Sequence, residues 1–125
     1  MGDSQLATYQ AVHTITADPG RLVVILLNGA VRFLWQARRA LDAGDVARFG
    51  EAACRAQAII VELSDVLDRD HGGEVAENLG RLYDFMLRHL TQGVVTRNGR
   101  HLDEVLTPLT ALREGFEAAL EPRDG

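Results

Sequence analysis

The chain has 125 residues, enough for one domain with its own hydrophobic core, and 46% of them are hydrophobic, which excludes a chain that is disordered throughout. The formal net charge of −5 disfavours nucleic acid as a partner, because phosphate binding requires a basic surface. The single cysteine cannot form a disulfide within the chain, which fits a cytoplasmic location. No signal-peptide pattern is found near the N-terminus, and the longest apolar run, residues 22–27, is too short for membrane insertion.

The predicted elements begin with a short N-terminal segment, residues 1–14, that precedes the first helix. Leu6 and Tyr9 belong to a set of apolar residues at three-residue steps, so the segment is expected to dock loosely or to stay mobile. In "TADPG", Asp18 can cap a helix that starts with Pro19, because proline lacks the N–H that this position leaves unbonded. This first helix is predicted to run to about residue 41.

Three further helical blocks follow, and a polar or glycine-containing break precedes each one. The break "DAGD" supplies Asp45 as the N-cap of a block over residues 46–67, and "DRDHGG" precedes a block over residues 74–92. The break "TRNG" precedes the fourth block, which continues to about the last leucine of the chain. In that block, Pro108 predicts either a kink or a short helix followed by a longer one capped by Thr107.

Together these blocks predict an all-α protein with a single domain over residues 1–125, folded as an antiparallel up-down four-helix bundle. Each block of about twenty residues forms a rod of roughly 30 Å. Short connections place consecutive helices side by side and antiparallel. No block alternates apolar and polar residues with a period of two, so strands are not expected.

The first helix carries more apolar residues than one buried side requires. On a wheel of 100° per residue, Val24, Val31 and Trp35 form a second apolar stripe outside the expected core. Exposed apolar stripes mark contacts with other molecules, so these three residues are candidates for partner binding. Residues 1–14 could instead fold over the stripe, and the two interpretations are compatible because a docked segment can be displaced.

Two other helices add partner-binding candidates. In the second helix, Ala52, Ile59 and Val66 are spaced seven apart and form either an ordinary bundle edge or a second side for a helical partner in a groove. In the third, Tyr83 of "LYDFMLRHL" is a further candidate. Its alternative interpretation is a tyrosine that packs in the bundle with its hydroxyl at the edge.

The residue patterns of known catalytic and metal sites are missing from the sequence. None of the four histidines has a second His or Cys at metal-ligand spacing along the chain, and no Glu-x-x-His pair is present. There is no glycine-rich phosphate loop and no nucleophile elbow. The sequence therefore predicts a protein without enzymatic activity, bound metal or cofactor.

Several motifs, in this order, resemble the FliS family of flagellar secretion chaperones. The N-terminal "YQAVHTITADPGRL", the glycine of "LLNG" and the "AQAIIVEL" of the second helix each match a family element. The most specific block is "LDRDHGGEVAENLGRLYDFMLRHL", which is similar to the family pattern around its third helix. The resemblance extends from Tyr9 to about Leu120.

The resemblance implies a cytosolic export chaperone. Such a protein binds the disordered C-terminal region of flagellin, prevents its premature polymerisation and aids its delivery to the flagellar type III export gate. Leu6 and Tyr9 match the family's N-terminal motif, which implies a gating or export-gate contact for them. No nucleotide or metal is implied, and the chain is expected to be a monomer or a weak homodimer.

Two other functions are compatible with parts of the pattern. One is a regulatory or structural four-helix protein that dimerises through the same apolar stripe. The other, a metal-dependent bundle enzyme, is disfavoured because the core stripes contain no carboxylates.

Overall fold

The computed structural model describes residues 19–68 and 70–121. All regular structure in these residues is helical: α1 (Pro19–Asp42), α2 (Val46–Asp65), α3 (Gly73–Thr96) and α4 (Gly99–Leu120). Helices α1 and α3 each pack against both α2 and α4, so the four helices form a closed ring around one core. The prediction of an all-α four-helix bundle is confirmed. Residues 1–14 and the predicted cap Asp18 lie outside the described residues.

Local signals at the breaks explain where the helices begin. Asp45 is the N-cap of α2 as predicted, and its Oδ1 accepts a hydrogen bond of 3.1 Å from the backbone N–H of Arg48. Asn98 caps α4 in the same way, accepting a bond of 3.0 Å from the N–H of Arg100. At the start of α3, its first residue Gly73 has a φ of +57°, a conformation that favours glycine over residues with a side chain.

The core is apolar throughout the described residues, with no buried polar or charged side chain. All four helices contribute its largest fully buried side chains, which are Leu27, Leu34, Phe49, Ile60, Leu63, Tyr83, Met86, Leu90, Leu102, Val105 and Leu109. Between these, the buried sides of α1 and α2 consist largely of alanines, namely Ala30, Ala37, Ala40, Ala52, Ala53 and Ala56. Small side chains allow two helices to approach closely.

Helix α4 is continuous through Pro108, so the alternative of two separate helices with Thr107 as a cap is wrong. Pro108 has no N–H to donate to the carbonyl of Glu104, and the helix continues because its buried side remains packed. The hydroxyl of Thr107 donates a hydrogen bond of 3.2 Å to the carbonyl of Asp103 instead of capping a new helix. None of the helices in the described residues is both long and apolar enough to cross a membrane.

Candidate partner-binding surface

The side of α1 that carries Val24 and Val31 faces α4. Val24, Val31 and Arg38 are spaced seven residues apart, so they lie on one side of the helix. Arg38 identifies that side, because its Nε donates a hydrogen bond of 2.9 Å to Oδ1 of Asp103 on α4. Val31 is only 2% exposed and belongs to the core, whereas Val24 is half-buried. The prediction that Val31 lies outside the core is therefore wrong, because α1 packs against two helices and buries a wider arc than one neighbour requires.

Two large apolar side chains on α1 remain in solvent. Trp35, as predicted, is 47% exposed, and Ile25 is 50% exposed. Ile25 was missed because its neighbours on the outer side of the wheel, Arg21, Asn28 and Arg32, are polar. Exposed Trp and Ile on one helix are the side chains most able to bind an apolar partner.

The second predicted stripe lies at the contact between α1 and α2. A Cβ atom added at Gly29 of α1 would lie 3.1 Å from Cδ1 of Ile59, so Ile59 faces α1 and is half-buried there. Ala52 is buried and Val66 is exposed. The stripe on α2 thus packs against a side of α1 different from the one that carries Val24 and Val31. The structure does not bring the two predicted stripes into one groove.

A groove does lie between α1 and α2 near their connecting turn, with a cavity volume of about 600 Å³. It is lined by Phe33, Gln36, Arg39, Ala40, Ala43, Asp45, Arg48, Glu51, Ala52 and Arg55. The guanidinium carbons of Arg32 and Arg55 lie 5.4 and 5.6 Å from the centroid of the Phe33 ring, within the range of a cation–π contact. The lining has three arginines against two carboxylates, a small positive excess in a chain of net charge −5.

Sequence reasoning did not identify this groove. Phe33 has the spacing of a core residue and does pack partly against the core, so its spacing gave no sign of an open side. The arginines around it come from both helices, and only their arrangement in space shows that they surround one ring. Arg39 lines the groove four residues after Trp35, so the groove adjoins the exposed outer side of α1.

Tyr83 is not at the surface. Its side chain is 1% exposed in the core, and burial raises the pKa of its hydroxyl. This position agrees with the alternative interpretation of a tyrosine packed in the bundle, and a partner reaches Tyr83 only if the bundle opens, so its role in partner binding stays a prediction. Leu6 and Tyr9 lie outside the described residues.

The structure also brings together three side chains that could hold a metal ion: His89 of α3, and His101 and Glu104 of α4. Their spacing along the sequence gave no such sign, because His89 and His101 are separated by the turn between two helices. The two helices pack side by side and thereby place the three side chains near one another.

A closed helical bundle with exposed apolar residues on one helix and a charged groove between that helix and the next has the features of a protein that binds other proteins. Comparison with known proteins is consistent with this class. The family model described as "Flagellar protein FliS" matches residues 2–123. The chain belongs to the FliS family.

Alignments with several named relatives cover most of the chain. The flagellar secretion chaperone FliS of Salmonella typhimurium is 36% identical over 115 residues, covering 91% of this chain and 84% of the relative. The FliS chaperone of Bacillus subtilis is 34% identical, with 90% and 84% covered, and that of Vibrio cholerae is 31% identical, with 92% and 79% covered. A chaperone role for this chain follows from family membership, and the family identity implies a protein without enzymatic activity.

Proposed function

We propose that this chain is a cytosolic export chaperone that binds the disordered C-terminal region of flagellin. In this proposal it prevents premature polymerisation of its client and aids delivery to the flagellar type III export gate. The client helix lies along the outer side of α1 and enters the groove between α1 and α2.

The observation that carries this proposal is the exposure of Trp35 and Ile25 on the outer side of α1, with Trp35 one turn before Arg39 of the groove lining. An exposed tryptophan loses the stabilisation that burial gives, roughly 25 cal/mol for each Å² of apolar surface. A partner that covers both side chains regains it. The positive excess of the groove favours a client segment that carries carboxylates.

The chemistry of such a client explains why it needs a chaperone and why it can leave. An amphipathic tail that is disordered before assembly would otherwise associate through its own apolar sides. On the chaperone the tail folds as it binds, and this ordering costs about 2–5 kcal/mol or more of the gross interaction energy. The cost keeps the complex weak enough to release its client at export.

The test is calorimetric titration of the full chain with the C-terminal segment of flagellin from the same organism. We expect saturable one-to-one binding with a negative heat-capacity change, because apolar surface is buried. Trp35→Ala and Ile25→Asp should each weaken binding about tenfold or more, the usual effect at an anchor residue. Emission from Trp35, the single tryptophan, should shift to the blue as the client covers it.

The matched control is Val75→Asp, which places the same carboxylate at a 69% exposed valine on α3. We expect it to leave the affinity unchanged. The absence of binding by folded, helical protein, or equal weakening by Val75→Asp, would contradict the proposed surface. Val31→Asp is unsuitable as a test, because it would bury an unpaired charge and destabilise the bundle.

The proposal also assigns the N-terminal segment a role. Leu6 and Tyr9 cover the client surface when no client is bound, or contact the export gate. A gating role predicts that Leu6→Ala combined with Tyr9→Ala tightens client binding in the same titration, whereas an export-gate contact leaves it unchanged.

A further inference from the structure

We propose that His89, His101 and Glu104 form a binding site for a divalent transition-metal ion of the Zn²⁺ type, which links α3 to α4. His101 and Glu104 are three residues apart on α4, so they lie on one side of that helix about one turn apart. His89 faces them from α3. One ligand atom from each of the three side chains lies within 4.8 Å of the others.

The distances between individual groups show how closely the cluster is assembled. Nδ1 of His89 lies 2.9 Å from Oε2 of Glu104, although the two are not aligned as a hydrogen bond. The imidazole rings of His89 and His101 are 5.6 Å apart between centroids and meet edge to face. Small side-chain rotations would place the three donor atoms around a common point. Each would then lie about 2.0–2.2 Å from a zinc ion at that point, as in zinc proteins.

Both imidazoles have a polar atom that the described residues leave unsatisfied. Nδ1 of His89 and Nδ1 of His101 are buried, and neither has a hydrogen-bond partner in the described part of the chain. Nδ1 of His89 has only its misaligned contact with Glu104, and Nδ1 of His101 is orphaned, which is uncommon because such an atom loses its water without gaining a partner. A metal ion bound at these nitrogens would give both atoms a ligand bond and would also bind the carboxylate of Glu104.

The donor set selects the kind of metal. Two imidazole nitrogens and one carboxylate oxygen suit Zn²⁺ and its neighbours among the transition metals, whereas Mg²⁺ and Ca²⁺ prefer oxygen ligands alone. The side chain of Glu104 is 40% exposed, so water can reach the cluster. Three protein ligands and one water complete the tetrahedral coordination that zinc favours.

The surroundings hold the ligands in place. The ring of Phe85 lies 4.0 Å from that of His89 between centroids and limits the rotation of the imidazole. Gly93 of α3 allows α4 to come close, because a Cβ at that position would lie 2.7 Å from Cδ1 of Leu102 and 3.1 Å from Cβ of His101. Rigid support of this kind is what a metal site needs beyond its ligands.

The test uses untagged, metal-free full-length protein titrated with Zn²⁺ by calorimetry and followed by thermal unfolding. We expect one zinc per chain and a higher melting temperature, because an ion that binds the folded state alone stabilises it. With Co²⁺ in place of zinc, visible absorption typical of tetrahedral nitrogen and oxygen ligands should appear. His89→Ala and His101→Ala should each lower the affinity for Zn²⁺ at least tenfold, the least expected from losing a ligand.

His71→Ala is the matched control, since His71 also lies beside a carboxylate, 3.1 Å from Asp68, but on an exposed turn without a second histidine. It should bind zinc as the unchanged protein does. Glu104→Gln removes the carboxylate but keeps the size of the side chain, so it separates the loss of a ligand from the loss of folding. Circular dichroism checks that the variant is folded. No zinc binding, or binding that survives in both His89→Ala and His101→Ala, would overturn the proposal and leave an ordinary His89–Glu104 ion pair.

Discussion

Tyr83 is held in the core, and burial changes its acid–base behaviour. The pKa of its hydroxyl is raised because the phenolate would lose its water. Below about pH 10 the hydroxyl is protonated in both folded and unfolded chains, so it causes no pH dependence there. Above that pH the unfolded chain loses the proton first, and the free energy of unfolding falls as pH rises through the folded pKa.

We therefore expect urea unfolding at pH 11 to give a lower free energy of unfolding than at pH 8. The decrease is at most about 1.4 kcal/mol for each pH unit between the unfolded and folded pKa. The chain contains no lysine, so Tyr83 and Tyr9 are the side chains that ordinarily titrate near pH 10. Tyr83→Phe should reduce the alkaline loss. An equally steep loss in Tyr83→Phe would mean that another group is responsible.

Val31 and Phe33 show, for single residues, how much of the candidate surface can be predicted from the sequence. The wheel correctly places Trp35 in solvent, because three of its four neighbours at three and four residues are arginines. It cannot say how many helices flank α1, and Val31 is buried because α1 packs against two of them. The two guanidinium groups near Phe33 likewise come from two helices, so no pattern within one helix reveals them.

Helix starts were predicted more accurately than helix ends. The start of α2 at Val46 and that of α3 at Gly73 agree with the predictions to within one residue, because caps and turn residues mark them in the sequence. Helix α3, by contrast, continues past the predicted end at residue 92 to Thr96. Gly93 resembles a helix end, yet it stays helical because Leu102 of α4 packs against it. The helix ends at Thr96, and its C-cap is Arg97, a residue in the left-handed conformation with a φ of 53° that is not a glycine.

Within α4, Pro108 costs stability that a substitution should restore. Pro108→Ala supplies an N–H that can donate to the carbonyl of Glu104 and removes the ring that crowds it. We expect the free energy of unfolding, measured by urea titration, to rise by about 1–3 kcal/mol. A mid-helix proline costs about 3 kcal/mol, and part of this cost is offset because proline also restricts the conformations of the unfolded chain.

Ala111→Pro, at an exposed position in the same helix, is the opposite change and should destabilise by about 3 kcal/mol. If Pro108→Ala instead lowers the free energy of unfolding, the restriction that proline imposes on the unfolded chain outweighs the lost hydrogen bond.

For the molecule as a whole, the proposed function requires the outer side of α1 to be free before a client arrives. We expect sedimentation equilibrium at micromolar concentration to give the mass of a monomer, and the mass of a one-to-one complex once the flagellin segment is added. A stable dimer would contradict this expectation. If Ile25→Asp dissociated such a dimer, the apolar surface would serve self-association, as in the alternative of a regulatory or structural protein.

The alanines on the buried sides of α1 and α2 have a consequence for binding at this surface. An alanine side chain has no rotamers to lose, so the interface between these two helices gains close contact without the entropy that longer side chains forfeit. We therefore expect the pair of helices that carries Trp35 and the groove to keep its shape when a partner binds. With a preorganised surface of this kind, only the client loses conformational entropy when the two proteins bind.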